Sequence, residues 1–169
     1  MKAFLMSVSD SSLVKQINDD IKKINARTEK YGLALSEKDV DIIIKHKSKS
    51  LRNNGRVEFG AGIITKMISA FCDSPYISQD DYVETINDLI EIFYYYKNEI
   101  MNKISDYALI DFMKKCFDNK CQGNIELLRY KYLGKVAQNI KYGKANYFDM
   151  DEDMTLDNKE LEDEVKNDG

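Results

Sequence analysis

Scarcity bounds this chain before any pattern is read: its 169 residues hold one proline, one histidine, three cysteines and no tryptophan. A single proline leaves almost nothing to interrupt helices, and the abundant Lys, Glu, Leu and Met lose little rotamer freedom in a helical turn. The lone histidine, His46, leaves one imidazole for base or metal chemistry. Cys72, Cys116 and Cys121 are odd in number and sparse, unlike the dense, even set of a small secreted scaffold, so the thiols are expected to be reduced. No window approaches the run of roughly eighteen uncharged apolar residues that a membrane span needs, and Ala3 to Met6 is too short for a signal-peptide core. The expectation is a cytoplasmic protein with no membrane segment.

What is present is enough for one core: 43% of residues are hydrophobic and 32% charged. The formal charge of −4 divides unevenly. Residues 144–169 carry ten acids against three lysines, and residues 1–143 carry nineteen acids against twenty-two bases. The organisation expected is therefore a single helical domain over 1–143 followed by an acidic tail over 144–169. A body of +3 falls far short of a nucleic-acid footprint.

Apolar periodicity and cap residues predict an all-α fold, an irregular bundle of about five to six amphipathic helices joined by short loops. The first helix is expected to start after Ser9 to Ser12, carry Leu13, Ile17, Ile21 and Ile24 inward, and end at Gly32. Ser36 caps the second, which buries Val40, Ile43, Ile44 and Leu51 and stops at Asn53-Asn54-Gly55. Gly60-Ala61-Gly62 opens the third, with Ile63, Ile64, Met67, Ile68 and Phe71 inward. Ser78 starts what should be the longest helix, Ser105 caps the next, and Leu128, Tyr132, Val136 and Ile140 mark a last helix weakened at Gly134.

The sharpest local pattern lies in the tail. Asp149, Asp151, Asp153, Asp157 and Glu160 occupy positions 1, 3, 5, 9 and 12 of a twelve-residue calcium loop, where converging carboxylates can supply a hard cation with oxygens. Phe148 and Leu161 flank it as an EF-hand's helices would, but Met154 stands where the sharp turn calls for glycine. Calcium is thus the one cofactor the sequence suggests, against the plainer reading of a solvated acidic tail; otherwise none is expected. Cys72, Cys116, Cys121 and His46 fit a zinc site only loosely and read better as core and boundary residues. Cys121 precedes a helix start, where amides can lower a thiol pKa, which admits a thiol-based enzyme or redox protein; no base is evident beside it. Gly60-Ala61-Gly62 near Arg56 and Lys66 resembles a phosphate cradle but lacks the preceding strand. Tyr94, Tyr95 and Tyr96 point in three directions on a helix, so at least one is exposed, and with Tyr130, Tyr132 and Tyr142 they suggest an aromatic contact surface.

The stretches YGLALSEKDVDIIIK, GRVEFGAGII, FCDSPYISQDDYVETI, EIFYYYKNE and CQGNIELL resemble an uncharacterised family of small, apparently cytoplasmic helical proteins of clostridia and related Gram-positive bacteria, a domain of unknown function. The resemblance covers most of residues 13–143, stops short of the tail and carries no activity. It implies that the loops Arg56 to Gly62, Cys72 to Tyr76 and Cys121 to Asn124 belong to a shared pattern. Were they to converge, Arg56, Glu58, Cys72, Asp73, Tyr76, Cys121 and Gln122 would form one polar patch with two thiols. The resulting expectation is a non-enzymatic interaction module with a protein partner, homo-oligomerisation being left open. A calcium-responsive protein and a thiol enzyme are the alternatives.

Overall fold

The computed structural model describes residues 2–58 and 62–150, with side chains from residue 12 onward. Helix α1 spans Lys2–Thr28, α2 Glu37–Asn53, α3 Ile64–Phe71, α4 Tyr82–Glu99, α5 Asp106–Asn119 and α6 Gly134–Lys141, while a π-helical segment, Leu127–Leu133, runs directly into α6. No strand occurs among the described residues, and the expected all-α bundle is what forms.

Local chemistry sets most of the boundaries. Ser36 Oγ accepts from the Asp39 amide at 3.1 Å while Asp39 accepts from the Ser36 amide at 2.9 Å, a reciprocal cap that starts α2. Ser78 and Asp81 form the same box ahead of α4, and Ser105 Oγ accepts from Ala108 N at 3.2 Å to start α5. Three boundaries differ from expectation. Helix α1 begins at Lys2, because no proline or glycine precedes Gly32, and it is longer than α4. Helix α3 begins only at Ile64, since Gly62 adopts a left-handed φ of 58° that belongs to a turn. The third lies at Gly134, expected as a weak point of the last helix: there the π segment returns to α, beside the Tyr96 hydroxyl.

The core centres on α3, which packs against α1, α4 and α5, while α2 lies along α4. Ile64, Met67 and Phe71 are wholly buried, each such side chain contributing about 1.5–3 kcal/mol by leaving water. Phe71 meets Phe117 of α5 edge-on at 5.5 Å.

Side chains fasten the connections. Asn25 both donates to Leu35 O at 2.9 Å and accepts from Leu35 N at 3.1 Å, and Gln79 does the same with Ala34 at 2.9 and 2.8 Å. Buried Lys97 donates to Ile104 O at 2.7 Å and pairs with Asp106 at 2.8 Å, closing the turn between α4 and α5. Past α6 the chain does not leave at once, although its composition changes at Lys144. Asn139 Nδ2 donates to Tyr147 O at 3.0 Å and to Asp149 O at 2.9 Å, and Phe148 stacks on Phe112 at 4.6 Å, so residues 147–150 lie over α5.

Candidate functional site

The three loops singled out by sequence do not come together as one patch. Glu58 is drawn to the C-terminal half of α4: its Oε1 lies 3.1 Å from the buried Lys47 Nζ, and its Oε2 accepts from the Tyr94 hydroxyl at 2.6 Å. Burial first, then the Glu58 carboxylate, pushes the Tyr94 hydroxyl far above its ordinary pKa. Arg56 donates to Asn98 Oδ1 at 2.8 Å, and Asn98 in turn donates to Asn54 O at 2.6 Å. A Cβ at Gly62 would fall 1.3 Å from Glu58 Oε1, so only glycine leaves room for the carboxylate over Lys47. This loop is therefore a plug over a buried ammonium, with Phe59, Gly60 and Ala61 lying outside the described residues. The phosphate-cradle reading that used Gly60 and Ala61 falls with them outside what is described.

The other two loops do meet, at the far end of α3. A Cβ on Gly123 would press on Tyr76 Cβ at 2.5 Å, Tyr76 packs edge-on against Phe117 at 6.4 Å, and Ser74 Oγ donates to Asp118 Oδ1 at 2.6 Å. Asp73 is bound by Lys114, which also holds Asp118 at 3.0 Å. Burial first, and then nearby Cys72, raises the Tyr82 hydroxyl pKa, whereas Glu58 bonds Tyr94. Twelve residues of helix separate those two tyrosines by about 18 Å, which places Arg56 and Glu58 apart from Cys72, Asp73, Tyr76, Cys121 and Gln122.

The tyrosine run separates just as sharply. Tyr94 is 0% exposed and Tyr96 only 6%, while Tyr95 is 49% exposed. Of the three proposed contact residues, only Tyr95 offers its ring to solvent. It lines a cleft of about 510 Å³ between α2, α4 and the π segment, together with Asn53, Glu91, Arg129 and Tyr130. Tyr130 is 69% exposed, and the Arg129 guanidinium lies 5.9 Å from its ring centre. The Arg129 Nε is buried with no hydrogen-bond acceptor among the described residues.

The π segment explains how Arg129 and Tyr130 arrive there. The Tyr96 hydroxyl donates to the Arg129 carbonyl, an insertion from α4 into the backbone ladder of the following helix. Burial, then Tyr95 and Glu99, pushes Tyr96 up to about 12, so the phenol stays protonated and able to donate. Tyr95 and Tyr96 also line an adjoining hollow of about 560 Å³ with Met101, Ala137 and Ile140. Met101 holds a left-handed φ of 54° and is 60% exposed. A methionine in that conformation is strained by about 1–3 kcal/mol, and strain of this kind gathers at functional sites.

A family model described as a family of unknown function, DUF6323, matches residues 20–146. The chain belongs to DUF6323. No curated protein and no solved structure matches it. The DUF6323 match contains both the plug and the tyrosine cleft and ends before Asp149, so the calcium pattern lies outside it.

The remaining candidates of the DUF6323 chain are chemically quieter. Burial and the neighbouring Cys121 push Cys116 up to about 12, and burial pushes Cys121 to about 11. Cys72 is raised by burial and by Asp73. None of the three has the lowered pKa of a nucleophile, and the helix start after Cys121 does not offset its desolvation. No group of His, Cys, Asp and Glu suited to a metal ion occurs among the described residues, so Cys72, Cys116, Cys121 and His46 form no zinc site; the His46 Nε2 faces Glu91 at 3.7 Å instead. Asp151, Asp153, Asp157 and Glu160 lie outside the described residues. Ahead of them α6 ends at Lys141, residues 142–150 are not helical, and Phe148 is committed to Phe112, so the entering helix of an EF-hand is not found there. No helix among the described residues is long and apolar enough to cross a membrane.

Proposed function

We propose that this domain is a non-enzymatic, cytoplasmic protein-interaction module that receives its partner in the cleft of Tyr95, Arg129 and Tyr130. The carrying observation is that two exposed tyrosines and an arginine with no ion-pair partner among the described residues line one cleft. Tyrosine and arginine are the side chains most enriched among residues that dominate binding energy, and Tyr95 is already braced edge-on against Tyr96 at 5.0 Å, which lowers the entropy lost on docking. A partner carboxylate would pair with the Arg129 guanidinium, which lines the cleft and has no ion-pair partner among the described residues, and the hollow beside Met101 and Ile140 extends the surface with apolar area. Three unpaired thiols suit a reducing compartment. High thiol pKa values and a single histidine support the non-enzymatic reading over thiol catalysis.

Affinity purification with the double variant Tyr95→Ser, Tyr130→Ser tests this. Both rings are exposed, so the fold should persist while affinity falls by about 30-fold or more, the effect of losing a hot-spot residue. Tyr31→Ser, an exposed tyrosine elsewhere, serves as the control. Recovery of the same partners by the double variant would rule out this surface.

A further inference from the structure

On another face of the bundle, α1, α3 and α5 enclose a groove of about 660 Å³. Its floor is apolar, from Ile24, Ala70 and Ile110, and its rim carries Lys23, Arg27 and Lys66. Two other charges that line it are already engaged: Lys114 by Asp73 and Asp118, and Asp111 by Lys115 at 2.8 Å. Lys23, Arg27 and Lys66 have no ion-pair partner among the described residues, and the carboxylate of Asp20 is all that stands against them. Such a groove suits a segment that interleaves acidic and apolar side chains.

We infer that its occupant is this chain's own acidic segment, residues 151–169. The point of departure is right: Met150 lines a depression on α5 together with Tyr107 and Asp111, and those same two residues form the edge of the groove. The root is held, because Asn139 and Phe112 fix residues 147–149 to the body. Reach is ample, since nineteen residues extend up to roughly 60 Å. The chemistry is complementary: residues 151–169 hold nine acids against two lysines, with Met154, Leu156, Leu161 and Val165 set among them. Tethering raises the local concentration to the millimolar range, so weak individual contacts are enough to fill the groove.

Carbodiimide cross-linking of the dilute, full-length protein, mapped by mass spectrometry, tests this, because the reagent joins only carboxylates and amines already in contact. Carboxylates of residues 151–168 should couple chiefly to Lys23 and Lys66, and much less to the exposed Lys38, Lys49 and Lys103. The yield at Lys23 and Lys66 should fall at least about fivefold in Arg27→Glu as the tethered contact is lost. It should fall likewise in about 1 M salt, where screening shortens to about 3 Å. Equal coupling to all these lysines, or a yield indifferent to both Arg27→Glu and salt, would overturn the assignment. Coupling confined to covalent dimers would overturn it as well, giving the groove to a second copy.

Discussion

Tyr94 and Tyr95 are adjacent in the chain and opposite in circumstance. One is fully buried with its hydroxyl on Glu58; the other stands half in solvent and lines a cleft with Arg129 and Tyr130. At the sealed end the polar groups are tied to one another: Glu58 to Lys47 and Tyr94, and Asn98 to Arg56 and Asn54. At the open end the Arg129 Nε has no hydrogen-bond acceptor among the described residues. A sequence signature as unusual as GRVEFG thus marks a structural plug, and the surface with unmet bonding capacity lies one residue along the same helix. Unusual loop sequence and binding capacity are separable in this molecule.

The contrast is open to attack from the sealed side, where the largest effect is expected. Glu58→Ala removes the carboxylate shared by Lys47 and Tyr94 and should destabilise the fold by about 3 kcal/mol, the lower end for breaking a buried ion pair. Denaturant unfolding measures it. A loss below about 1 kcal/mol, the size of a surface pair, would show that the plug is superficial and that the loop is free for another role.

The open side should answer differently. Tyr95→Ser leaves the core intact and gives up chiefly one edge-on ring contact with Tyr96, so its stability should change by less than about 1.5 kcal/mol. The same denaturant experiment decides it. A loss as large as that of Glu58→Ala would make Tyr95 a structural residue and erase the distinction between the two ends.

The boundaries at Ser36, Ser78, Ser105 and Gly32 were legible in the sequence because they depend on bonds made within three or four residues, whereas the start of α1 and that of α3, which has no side-chain cap, were not. The core of α3 was legible for a similar reason: Ile64, Met67, Ile68 and Phe71 keep helical spacing whatever they pack against. Which tyrosine faces outward was not. Helical geometry fixes the angle of about 100° between neighbours but not the direction of the set, which here depends on α2 and the Glu58 loop closing over Tyr94. The separation of the Arg56 loop from the other two, which meet, was hidden likewise, because it follows from the length and direction of α3 and α4. Arg129 was missed altogether, though a signal for its segment existed. Leu128, Tyr132, Val136 and Ile140 recur every four residues, a spacing that drifts by about 40° per step on an α-helix and that a wider π turn absorbs.

The smallest effect expected is also the one with the opposite sign. Asp88, on α4 near the cleft, has its carboxyl pKa raised above the ordinary 3.8, first by burial and then by Glu84, with Glu91 adding to the shift and Arg129 and His46 opposing it. An acid whose folded pKa exceeds its unfolded value favours folding below that unfolded value, and the advantage is lost as pH rises through the folded pKa. At pH 7 the ionised Asp88 is therefore a net burden on the native state. Asp88→Asn should raise the melting temperature slightly at pH 7, and the gain should shrink as pH falls toward 4. A gain that stays constant over that range would have a cause other than ionisation. A loss at pH 7 would mean that attraction to Arg129 outweighs desolvation, and the cleft would then be as well satisfied electrostatically as the plug. The expected gain instead makes the cleft a place where stability is given up, as happens where a surface is kept open for a partner.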